Sequence, residues 1–128
     1  MTTEIHPSNK IYIKFINKKK GWGVFCKEKI EKNEIVETCY CIVDNHNTTS
    51  LKNYVYNKNN TSSDVYYCFG FGSLYNHSDI PNIKFKVIDE DKHIVTFTAL
   101  KDVDINEELC IYYGDNAFEK FENIYKII

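Results

Sequence analysis

Phe69-Gly70-Phe71-Gly72-Ser73-Leu74-Tyr75-Asn76-His77-Ser78-Asp79-Ile80-Pro81-Asn82 is the stretch that decides how this chain is read. Aromatic and apolar residues run straight into a polar cluster, Asn76, His77 and Ser78, and then into a turn signal at Pro81-Asn82. Neither a period of two nor a period of 3.6 accounts for it. Polar groups held among apolar ones need hydrogen-bond partners, and here the partners must come from elsewhere. The nearest segment suited to supply them is Glu107 to Asp115, where Leu109, Cys110, Ile111, Tyr112 and Tyr113 read as a last strand ending at Gly114-Asp115.

Working outward, Lys10 to Ile16 and Trp22 to Lys27 read as two strands, placing Gly21-Trp22-Gly23 at a hairpin junction. Glycine there tolerates positive φ and lets another molecule approach the backbone. The pattern is not a dinucleotide fingerprint, because no third glycine and no opening helix follow. Glu34 to Val43 reads as a strand buried in its second half, and Leu51 to Tyr56 as a short apolar and aromatic segment between polar loops. Alternation turns Cys39 and Cys41 to one side, but no further ligands complete a tetrahedral set, so no structural metal is expected. Ile83 to Ile88 and Ile94 to Leu100 form a predicted hairpin through Asp89-Glu90-Asp91-Lys92. Beyond Asn116, a possible cap, the positions Phe118, Phe121, Ile124, Tyr125 and Ile128 make a helical stripe. The expected architecture is mainly β, a single domain over 1–128, with a short C-terminal helix.

At 128 residues the chain is long enough to bury a core, and 43% hydrophobic content supports one. The net charge is -2 and all sixteen cations are lysine. That balance argues against anionic membranes and, without arginine forks, against sequence-specific nucleic-acid reading. Five cysteines, Cys26, Cys39, Cys41, Cys68 and Cys110, are odd in number and sit mostly in apolar runs, as reduced core thiols do. The first ten residues lack the apolar run of a signal peptide, and an intracellular protein is expected.

A Gly-x-Gly hairpin, an Asn-His-Ser turn followed by Pro-Asn, and Glu-Leu-x-Ile-x-Tyr-Gly-Asp occur here in that order. In this the chain resembles the SET-domain protein lysine methyltransferases, from about Ile11 to Asp115, and it is most similar to the minimal stand-alone SET proteins of large DNA viruses. The resemblance implies several short sheets around a knot-like crossing of the C-terminal segment, which would bring Asn76-His77 to the strand ending at Tyr113. It implies S-adenosylmethionine as cofactor, held by Gly21, Trp22, Gly23, Asn76, His77 and Tyr113, and no metal. It also makes Tyr113 the catalytic tyrosine and Tyr54, Ile111 and Tyr113 the walls of a channel for the substrate lysine.

Such enzymes act on histone tails or other lysine-containing peptides, so a nuclear setting, in a host nucleus or a viral factory, is implied. A homodimer is possible by the same resemblance. Departures from the family are Ile111 where Phe or Tyr is common, Tyr112 where Asp or Ser is frequent, and Ser73 where Arg is frequent. Without a hydroxyl at Ile111, di- or trimethylation is expected. The cysteine-rich module that completes the channel in many relatives has no counterpart, and Phe118, Phe121 and Tyr125 would cover the site or meet a second subunit. Glu37, Asp44, Glu90 and Asp91 are candidates for an acidic rim that attracts a lysine-rich peptide. Two other readings stay open: a SET-like module that binds peptides without catalysis, and an unrelated small β-barrel whose aromatics cage a ligand.

Overall fold

The structure is a computed structural model that describes residues 4–45, 54–57 and 64–113. The first hairpin pairs β1 (Ile11–Asn17), rich in isoleucine and aromatic residues, with β2 (Gly21–Cys26), buried from Gly23 to Cys26, antiparallel with Ile11 opposite Cys26 and Phe15 opposite Trp22. Gly21 closes it with φ +71, the left-handed conformation that glycine adopts without strain. β3 (Ile35–Asn45) is long enough to serve two partners, β8 (Ile94–Ala99) along its first half and β5 (Asp64–Cys68) along its second. β4 (Val55–Asn57) extends the β5 side. β7 (Ile83–Asp89) and β8 make the expected hairpin, with His93 in the turn at φ 58.

The last strand, β9 (Glu108–Ile111), does not join an edge. It lies between β2 and β7 in the strand order β1-β2-β9-β7-β8-β3-β5-β4, and it also pairs in parallel with the two-residue β6 (Asn76–His77). A segment from the end of the described chain is therefore enclosed by strands laid down much earlier. One core fills the space between the sheets, built from Val24, Val36, Tyr66, Tyr75, Ile83, Val95, Phe97, Val103 and Leu109, each under 2% exposed.

β5 and β6 fall outside the strands expected from sequence. β5 (Asp-Val-Tyr-Tyr-Cys) is five residues with Val65 and Tyr66 both fully buried, so it lacks the alternation that marks a half-buried strand. The expected C-terminal helix over 116–128, with Phe118, Phe121 and Tyr125, lies outside the described residues, as do Gly114 and Asp115. Cys26, Cys39, Cys41 and Cys68 are buried free thiols. Cys41 and Cys68 face each other across the β3–β5 pair with their sulfurs 2.9 Å apart.

Candidate active site

The polar cluster at Asn76 meets β9 directly. Asn76 pairs with Cys110 and His77 with Ile111, and the Ser78 amide donates to the Ile111 carbonyl at 3.0 Å. Asn82 locks the same strand from its other end: its buried amide donates to the Glu108 carbonyl and accepts from the Cys110 amide, both at 2.8 Å. The Asn82 side chain thus substitutes for a missing strand partner, which is why a polar residue follows Pro81 inside the fold.

Three segments distant in sequence then converge. Asn76 Nδ2 donates to Glu108 Oε2 at 2.8 Å and to the Trp22 carbonyl at 3.3 Å. A methyl group built on Gly23 would lie 2.6 Å from that Glu108 oxygen and 3.1 Å from Asn76 Nδ2. The absence of a side chain at Gly23 is what lets the hairpin touch the Asn76–Glu108 pair. Around Gly21, by contrast, nothing lies within 4 Å of such a methyl, and the Trp22 indole is 53% exposed. Phe15 packs edge-on against that indole, centroids 5.8 Å apart.

Tyr113 closes the site. Its hydroxyl donates to the Tyr75 carbonyl at 2.8 Å and its amide to His77 Nδ1 at 3.1 Å, so both ends of the residue are held by the Tyr75–His77 segment. His77 Nε2 is 3.0 Å from Asp79 Oδ1, and with Nδ1 accepting, the proton belongs on Nε2. The His77 ring packs against both phenols, 5.3 Å from Tyr112 and 5.0 Å from Tyr113 between ring centroids. Strand alternation would send those phenols to opposite faces, but β9 ends at Ile111, so the rule does not extend to them. The Cys110 thiol, pushed up to about 12 by burial and then by the Glu108 carboxylate, is no nucleophile at neutral pH.

Contacts link Trp22 and Gly23 to Asn76, and His77 to Tyr113, while Gly21 is joined to them only through the chain; Ile111 is buried at the end of β9 opposite Ile83 and His77. Tyr54 stands apart from the core, 43% exposed just before β4. Its neighbour Tyr56 is the one that packs inward, stacked on Phe85 at 4.9 Å with its hydroxyl donating to the Gly72 carbonyl at 2.7 Å. Ser73 donates no charge to the site; its hydroxyl accepts from the Cys68 amide at 2.9 Å. Glu37 is not at the surface with the other acidic candidates. It is 6% exposed, and its carboxylate accepts from the Tyr75 hydroxyl and the Phe71 amide, each at 2.8 Å, while Glu90 and Asp91 are exposed. Glu108, Asn82 and Tyr75 went unread in the sequence because each works through a contact made only in the folded chain.

The model of the SET domain matches residues 21–114, most of the chain. This chain belongs to the SET-domain family. Among SET relatives, the histone-lysine N-methyltransferase specific for H3 lysine-37 of Schizosaccharomyces pombe is 31% identical over 107 residues, 78% of this chain and 71% of that protein. A crystal structure from Plasmodium falciparum, provisionally assigned as a histone methyltransferase, superposes with a TM-score of 0.71 at 30% identity, covering 87% of this chain and 96% of that one. Both are cellular proteins rather than viral ones. The mainly β architecture, with β9 set among earlier strands, is thus the SET fold.

Proposed function

We propose that the protein is an S-adenosylmethionine-dependent protein-lysine N-methyltransferase acting on histone tails in a nucleus. The observation that carries this reading is the placement of the Tyr113 hydroxyl on the Tyr75 carbonyl, beside Asn76-His77 and the glycine hairpin. The surroundings suit a sulfonium cofactor. Open space beside Gly21, the exposed Trp22 residue and the Tyr112, His77 and Tyr113 rings offer aromatic faces for a cation, near the Glu108 carboxylate that Asn76 and Lys20 already hold. Gly21, Trp22, Gly23, Asn76, His77 and Tyr113 would hold that cofactor, which when bound supplies an electrophilic methyl group.

The chain's own residues then have limited tasks. With its proton committed to the Tyr75 carbonyl, the Tyr113 oxygen presents lone pairs to polarised C–H groups. An apolar channel would disfavour the ammonium form of an incoming lysine and align its lone pair, and the buried Ile111 would be one of its walls. Tyr54, exposed at the rim, would contact the peptide rather than the ε-amine. Ile111 brings no hydroxyl to hold water there, which favours addition of more than one methyl. The nuclear setting and the histone target follow the named activity of the fission yeast relative.

Transfer of tritiated methyl groups to histones and to a lysine peptide library tests this, with Tyr113→Phe as control. Saturable cofactor binding by calorimetry together with label on lysine supports the reading. Saturable binding without transfer to any lysine points to a peptide-binding module, and no binding at all overturns the assignment.

A further inference from the structure

Glu37 is a carboxylate buried without a counter-charge. The ion pairs among the described residues are Glu4–His6, Lys10–Glu34, Lys20–Glu108 and His77–Asp79, and none of them includes Glu37. Its oxygens accept from the Tyr75 hydroxyl, the Phe71 amide and the Cys39 thiol, all neutral donors, so hydrogen bonds hold the carboxylate while no ion pair among the described residues balances its charge. Buried charges are ordinarily paired, and this one borders a cavity of about 370 Å³. The cavity lies between the N-terminal segment at Ile5 and Pro7, β3 at Tyr40, and the loop at Phe69 and Phe71.

Its walls are built to suit a cation. Tyr40 and Phe69 stack face to face with centroids 5.9 Å apart and planes within 4°, and each remains nearly half exposed. Tyr67 braces Phe69 edge-on at 5.6 Å. Gly70 shapes the loop around the carboxylate: it sits at φ +71, and a methyl group there would fall 2.4 Å from Glu37 Oε2. Aromatic rings and a carboxylate lining one cavity attract ammonium and guanidinium groups more strongly than neutral ones.

We propose that this cavity seats a second cationic side chain of the polypeptide substrate, a lysine or arginine other than the one methylated, with Glu37 as its counter-charge. The proposal rests on the methyltransferase reading for the identity of the polypeptide, though not for the binding itself. Tyr75 joins the two places, since its hydroxyl meets Glu37 and its backbone carbonyl holds the Tyr113 hydroxyl. A substrate with two cations could therefore be fixed at both ends of one tyrosine.

The test is a nuclear magnetic resonance titration of the full chain, without methyl donor, using N-α-acetyl-lysine methylamide and its neutral counterpart N-α-acetyl-norleucine methylamide. The Gly70 and Phe71 amides should shift saturably with the lysine compound, at least tenfold more tightly than with the norleucine compound. Glu37→Gln, which keeps an acceptor for the Phe71 amide, should weaken the lysine compound at least tenfold. The double variant Tyr40→Leu with Phe69→Leu keeps the carboxylate and an apolar wall, and should weaken it several-fold even if Glu37→Gln does not fold. Equal binding of the two compounds, no shift at Gly70 and Phe71, or undiminished binding by either folded variant overturns the proposal. Because no donor is present, a failure here leaves methyl transfer standing, and a failure of methyl transfer leaves this site standing.

Discussion

A methyl group decides the difference between the two glycines of the hairpin. Gly23→Ala would press on Glu108, on Ile16 at 2.8 Å and on Asn76, so it should lower stability by about 1–3 kcal/mol and weaken cofactor binding at least tenfold. Gly21→Ala meets open space and carries only the strain of its positive φ, about 1–2 kcal/mol; thermal melts and calorimetry on the pair separate the two effects. Tyr113→Phe removes one hydroxyl from the Tyr75 carbonyl and should lower kcat by roughly a hundredfold or more, with cofactor affinity within a few-fold of the parent, measured by single-turnover transfer. Glu37 carries a signature in pH. Burial holds its carboxyl above the usual value of 4.5, an effect that the Phe71 amide and the Tyr75 hydroxyl only partly offset. The folded state therefore holds the proton more tightly, and the stability this group contributes is complete below pH 4.5 and is lost as pH rises through the raised folded value. The groups facing it are Tyr75, Cys39 and, across the cavity, His6. The melting midpoint of the parent should fall relative to Glu37→Gln as pH rises above 4.5 through the raised folded value. At this scale the sequence was readable where a residue type has a narrow use, as with Gly21 at φ +71, and unreadable where its role depends on a distant partner. Glu37 looks like any solvated strand glutamate until Tyr75 and Phe71 are placed against it.

Among the elements, β9 depends on a side chain as much as on its strand partners. Asn82→Ala would leave the Glu108 carbonyl and the Cys110 amide without their partners, at a cost of about 2–4 kcal/mol. Urea denaturation should show a lower midpoint with an unchanged slope, and cofactor affinity should fall with it, because β9 carries Tyr113 into place. The strands β1, β2, β3, β7, β8 and β9 were readable to within a residue or two as apolar and aromatic runs bounded by turn residues, although β3 is buried along its first half and not along its second as expected. β5 was not, its five residues merging into the aromatic run that follows at Phe69, and β6 was not, because two residues carry no period. The same logic explains Tyr112 and Tyr113. Read as strand they should diverge, but with β9 ended at Ile111 both turn to His77.

For the molecule as a whole, the site exists only when the fold is complete, because its parts come from β2, β6 and the end of β9. The unfolded chain keeps no residual version of it, so a ligand that bridges these segments binds the native state alone. Such a ligand stabilises by RT ln(1 + [L]/Kd), about 2.7 kcal/mol at a hundred times Kd, which for a domain of this size raises the melting midpoint on the order of 10 °C. S-adenosylmethionine should produce that shift, rising with the logarithm of its concentration. Adenosine, which lacks the sulfonium, should produce a smaller one if the Trp22, His77 and Tyr113 rings with Glu108 form a cation site. Differential scanning calorimetry over a concentration series checks both. Equal shifts from the two ligands would move the cation-binding role away from these residues, whereas a larger shift from the sulfonium, lost in Gly23→Ala, would tie it to the place where the hairpin meets the Asn76–Glu108 pair.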